Sequence, residues 1–202
     1  MKIQGFTLIE LAIVMVIVSL MLGMVLKGQE IITNAKIKNI ENSFNNIAKA
    51  ISIYKERYHV LPGDDNNAGS KFKDSGGNSI KNGGGDGVID GDFDSLNNSD
   101  ESRLVWLHLR HAGLVSRTED MQQQPSNAFN GLIGVSSKSS VNGAKHLQLF
   151  VGFTNIPGNV AVVLESRLDD IGASTGRIRS NKENYDGDNG THSVFHNIYF
   201  SL

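Results

Sequence analysis

Glu10 is the most chemically demanding residue of the chain, because it is the only ionisable side chain in the run Phe6–Leu26, FTLIELAIVMVIVSLMLGMVL. A carboxylate held inside an apolar helix costs about 3 kcal/mol on insertion scales, so its presence there points to a function. A residue snorkelling to the headgroups is the plainer alternative. Two further groups of acids suit a hard cation. In Asn82-Gly-Gly-Gly-Asp86-Gly-Val-Ile-Asp90-Gly-Asp92-Phe-Asp94, oxygen ligands cluster on a loop that glycine lets bend, as calcium prefers, and Asp86, Asp90 and Asp92 are the candidate ligands. Taking Asn82 as the start of an EF-hand-like loop, Gly84 and Phe93 stand where ligands belong, so a solvated loop of Asp and Gly turns is the alternative. Asp186 and Asp188, in Asn-Tyr-Asp-Gly-Asp-Asn-Gly, form the second group.

Other reactive pairs lead less far. His108 and His111 lie three apart on a predicted helix without an evident third metal ligand, which favours surface or partly buried histidines. His192 and His196 lie four apart in what reads as a strand, too far apart to chelate easily. Asp64-Asp65 and Asp169-Asp170 are adjacent carboxylates in turns with no aromatic cleft around them, weak grounds for glycoside hydrolysis. There is no nucleophile elbow, phosphate loop or zinc-binding histidine pair, so the expectation is a non-enzyme.

At 202 residues the chain is long enough for one globular domain besides an apolar segment. A formal charge of -2 with scattered, balanced Lys and Arg leaves no basis for nucleic-acid binding. With no cysteine there is neither a disulfide framework nor a thiolate metal site, so stability falls to packing, assembly or ions.

These residues need elements to position them. As a helix, Phe6–Leu26 spans about 30 Å, enough to cross a bilayer core. The run is too long for a signal-peptide core, and Lys27-Gly-Gln-Glu30 is no small-x-small cleavage site. Beyond it, Ile37, Ile40, Phe44, Ile47, Ile51, Tyr54 and Tyr58 alternate in steps of three and four, one helical stripe opposite Lys38, Glu41, Asn45, Lys49, Lys55 and Glu56. One helix of about 80 Å is predicted from Phe6 to Tyr58, closed by Leu61-Pro-Gly-Asp64. Ser99–Gly113 predicts a short helix with Leu104, Leu107 and Leu114 inward and Trp106 covering an edge. Leu147–Thr154 and Val160–Leu164, either side of Asn-Ile-Pro-Gly-Asn, predict an antiparallel hairpin; Leu132–Val135 and Val194–Phe200 predict further strands. Leu164–Gly172, followed by Thr175-Gly-Arg177, reads as a polar connection held by capping aspartates or as a short helix and loop. The helical stripe is the natural cover for such a sheet.

The hexapeptide Gly5-Phe-Thr-Leu-Ile-Glu10, after a short leader with Lys2, closely resembles the cleavage site of type IV prepilins and pseudopilins. The resemblance implies that a prepilin peptidase cuts between Gly5 and Phe6 and N-methylates Phe6. It also implies that Glu10, fifth in the mature chain, neutralises the terminal amine of a neighbouring subunit, so that wrong registers leave a buried charge unpaired. One departure is the lack of any proline before Pro62, where type IVa pilins often carry a helix breaker near the end of the apolar run. The Lys residues on both sides barely fix orientation by the positive-inside rule, and the resemblance supplies a cytoplasmic N-terminus.

The fold class expected is α+β and type IV pilin-like, a long N-terminal helix packed on a small antiparallel sheet with a long Gly/Asp-rich loop. The expected organisation is a leader at 1–5, a transmembrane and filament-core helix at 6–26, its amphipathic continuation at 27–60 and a periplasmic head at 61–202. The function implied is a structural subunit of a type II secretion pseudopilus or a type IV pilus. Its implied partners are the prepilin peptidase, copies of itself or other pilin-like subunits, the bacterial inner membrane and an assembly platform. The alternative is a membrane-anchored periplasmic module that binds calcium or another ligand and never polymerises.

Overall fold

A computed structural model describes residues 7–141, 144–146, 149–169, 176–181 and 195–202. Gly5, Phe6, Asp186, Asp188 and His192 lie outside the described residues. Helix α1 runs unbroken from Leu8 to Tyr58, as the absence of proline and the two hydrophobic patterns require. Thr7 caps its start, and His59, in the left-handed conformation, ends it with a backbone bond to the carbonyl of Lys55. The first half is exposed on every side: Leu8, Ile13, Ile17, Leu22 and Leu26 touch no head. It is long and apolar enough to cross a membrane. Burial begins at Ile37 and follows the predicted stripe through Ile40, Ile47, Ile51 and Tyr54, with Phe44 and Tyr58 partly covered.

The head opposes this stripe with a four-stranded antiparallel sheet in the order β1-β4-β6-β5, built from Ile133–Ser136, Phe150–Pro157, Phe195–Ser201 and Ile178–Ser180. A separate pair, β2 (Ser139–Val141) and β3 (Ala144–His146), forms a small hairpin. Three short helices complete the described head: α2 (Ala68–Lys71), α3 (Glu101–His111) and α4 (Gly158–Leu168). One core joins the α1 stripe to Trp106 and Leu109 of α3, Val151 and Phe153 of β4, Val160 and Leu164 of α4, and Ile198 and Phe200 of β6. The architecture is the expected α+β class, a long helix on a small antiparallel sheet, and it fits a pilin-like fold.

Two expectations are corrected here. Val160–Leu164 is not the second arm of a hairpin but part of α4, and β4 pairs instead with β1 and β6. A short apolar run does not reveal its own period, and Pro157 with Gly158 suits a helix start as well as a turn. Trp106 does not cover an edge: it is wholly buried, with the Arg110 guanidinium 6.0 Å from its ring.

The sheet carries a slot. Gly134 and Gly152 are direct partners across β1 and β4, and a Cβ on Gly152 would land inside the Phe93 ring. Phe93 therefore lies across the sheet and meets Phe150 and Tyr199 edge to face, drawing in the loop that precedes α3. Gly152→Ala is expected to cost about 2 kcal/mol by overpacking this slot, read as a lowered denaturation midpoint of the full chain in detergent.

Candidate functional site

Two acidic places carry the site chemistry, one at the foot of α1 and one at its head end. At the foot, Thr7 Oγ1 accepts from the Glu10 amide at 3.4 Å, while the Thr7 amide and hydroxyl donate to Glu10 Oε2, each at 2.8 Å. This capping box satisfies amides that a helix start leaves open, and it turns the carboxylate back along the chain onto Thr7. The Glu10 carboxylate thus accepts two hydrogen bonds from Thr7, which ease its lipid-side cost. Thr7 is a partner that the sequence reading did not single out, although Thr-x-x-Glu is a recognisable capping pattern.

At the other end, the turn after α1 buries two adjacent carboxylates. Gly63 sits at φ 93°, in the left-handed region, packed against the Glu101 carbonyl and Val105. Asp64 is 1% exposed and accepts from the amides of Gly85 at 2.5 Å, Asp86 at 3.0 Å and Gly87 at 2.8 Å. Successive glycines let this backbone wrap a carboxylate as it would any anion. Asp65 is fully buried and takes the Tyr54 hydroxyl at 2.7 Å, the Lys71 ammonium on both oxygens and the Asn67 amide. Burial opposes its charge, but the bonds from Lys71, Tyr54 and Asn67 prevail and hold its pKa below the ordinary value. The same contact and burial push the Tyr54 phenol upward.

Glu101, first residue of α3, closes the loop from the far side by accepting from Gly84 at 2.5 Å and Asp90 at 2.8 Å. Burial raises its pKa, and Asp64 and Asp90 nearby add like-charge repulsion that these two amides only partly offset.

The acids that come together are therefore Asp64, Asp86 and Glu101, with one oxygen from each within 4.8 Å of the others. Of the predicted calcium ligands among the described residues, only Asp86 belongs to this cluster. Asp90 pairs with Lys138 at 2.5 Å, and Asp92 is exposed and apart from it. The expected EF-hand-like order is replaced by a loop folded around acids from outside it. Asp64 and Glu101 were missed because no spacing links them to the loop; the one local hint was an acid directly after Pro-Gly. His108 and His111 do not form a metal pair, since His108 is buried with both ring nitrogens bonded and His111 Nδ1 meets the Leu107 carbonyl.

Residues 1–26 match the family described as the prokaryotic N-terminal methylation motif, the prepilin-type cleavage and methylation segment of type IV pilins and pseudopilins. No curated protein and no solved structure matches the chain.

Asp64→Ala would leave three loop amides without an acceptor and is expected to destabilise the head by about 3 kcal/mol, with Asp64→Asn costing less because one acceptor oxygen remains. Urea denaturation monitored by Trp106 fluorescence measures the difference.

Proposed function

We propose that this chain is a structural pilin-like subunit, cut by a prepilin peptidase after Gly5, methylated at Phe6, held in the bacterial inner membrane as a single-pass protein and assembled through α1 into a filament. The observation that carries this reading is the methylation motif at residues 1–26, which ends where the apolar run meets Lys27. The structure supports it in two ways. The membrane half of α1 buries nothing against the described residues of its own chain, so lipid before assembly and neighbouring helices afterwards are the two apolar surroundings that suit it. The capping box holds the Glu10 carboxylate on Thr7, second residue of the proposed mature chain, where a neighbour's amine would pair with it.

Within this proposal the periplasmic head is residues 61–202, the amphipathic stretch 27–60 docks it, and a separate ATPase drives assembly on a platform. A type II secretion pseudopilus is favoured over a type IV pilus. Calcium, placed at Asp64, Asp86 and Glu101, belongs to the proposal for the head, where an ion would offset the like-charge repulsion that adds to burial in raising Glu101.

Three measurements test these statements. Mass spectrometry of the mature chain should find Phe6 as the terminus with one added methyl; a retained Met1 in a cell with active prepilin peptidase overturns the proposal. Glu10→Ala should insert and be processed normally yet fail to form filaments, and normal filaments from that variant would remove the role given to the carboxylate. Calcium at millimolar concentration should raise the melting temperature of the full chain in detergent and release heat in calorimetry, as binding to the folded state requires; no heat and no shift remove the ion.

A further inference from the structure

His108 is placed where it can act only as a neutral ring. It projects from α3 into the turn that closes α1 and is wholly buried. Its Nδ1 accepts from the Gly63 amide at 2.9 Å, and its Nε2 lies 2.8 Å from the Lys81 carbonyl, an acceptor that requires a proton on that nitrogen. One nitrogen must therefore be bare while the other carries hydrogen. Protonating Nδ1 would set two N–H donors face to face and break the bond to Gly63.

We propose that His108 is a proton-sensitive latch that joins the α1 turn, the glycine loop and α3 at neutral pH and releases them on acidification. The residues it joins show why release would spread. Gly63 precedes Asp64, the acid that gathers the amides of Gly85, Asp86 and Gly87, and Lys81 enters the same loop two residues before Gly83, whose amide donates to the Asp65 carbonyl. Loosening the turn thus frees both ends of the loop.

The groups facing His108 are Tyr54 on α1, with its ring stacked 6.3 Å away, Asp65 in the turn, Lys71 on α2 and His111 on α3. Burial is the largest influence and lowers the pKa of His108 from 6.5; the Lys81 carbonyl and the Asp65 charge work against it, while His111 and Lys71 add to it. A folded value below the unfolded one means the unfolded state binds the extra proton. The latch's contribution is then complete above the ordinary histidine value and declines as pH falls from there through the folded value. Asp65 does not mimic this effect, because its folded pKa is also depressed and its contribution is lost only below the ordinary aspartate value of 3.8.

Hydrogen exchange on the full chain in detergent micelles, corrected for the intrinsic pH dependence of exchange, tests the latch. Between about pH 7.5 and 5.0 the openings that expose Gly63 and residues 83–87 should become more frequent, by up to about tenfold per pH unit within the titrating window. His108→Gln supplies an acceptor oxygen and an amide donor that do not titrate, so its protection should stay flat across the same range. Unchanged wild-type protection in these segments, or an NMR spectrum showing the imidazolium with the Gly63 amide still protected, overturns the proposal. Both readouts use the wild-type protein and hold even where the variant fails to fold.

Discussion

The turn that joins α1 to its head is organised by two neighbouring carboxylates that have been taken out of water. Asp64 and Asp65 follow a turn that only a glycine at Gly63 can make, and each faces a different set of donors. Asp65 ties α1 to α2 through the Tyr54 hydroxyl and Lys71, while Asp64 folds the glycine loop around itself. A buried charge that loses its partners is far more costly than one that was never buried. The pair therefore allows few arrangements of turn and loop, and it fixes where the head begins along α1.

That position decides how α1 divides its work. From Ile37 onward the helix buries one face against the sheet and α3, while just before it only polar contacts reach the described head, Asn34 accepting from Arg167 and Lys36 lying over the Phe129 ring. About 40 Å of helix thus projects beyond the head, of which Leu8–Leu26 matches a bilayer core. Between them, Lys27–Lys36 is polar enough to meet headgroups, with the Lys27–Glu30 pair exposed at the boundary. The same continuous helix therefore serves two solvents, without the proline that would separate them.

Features set by neighbours along the chain were legible in the sequence. The α1 stripe, its unbroken length, its stop at the Pro-Gly turn, α3 and the strands at β1 and β6 all follow from local periodicity and punctuation. Features set by distant partners were not. Val160–Leu164 shows the same apolar letters as a strand or as a buried helix, and only the occupied edges of β4 decide between them. Trp106 looked like an edge residue because nothing in α3 reveals the layers that close over it. Asp64, 21 to 23 residues from the amides it gathers, carries no spacing signal, and the acids within the loop drew attention in its place.

The same contrast explains where the family signal lies. The methylation motif consists of short-range features of the chain's start: a glycine before an aromatic residue, a glutamate four residues on and a run of hydrocarbon. The head has different constraints. Its turn, loop and helices are joined by contacts such as Tyr54 to Asp65, Gly63 to His108 and Asp90 to Glu101, each of which needs complementary chemistry at two places and leaves the residues between them free. A segment read locally keeps a recognisable sequence, whereas a fold held by distant pairs can be built from many sequences. The first 26 residues therefore carry the family signal, and the geometry of the head has to be read from the structure itself.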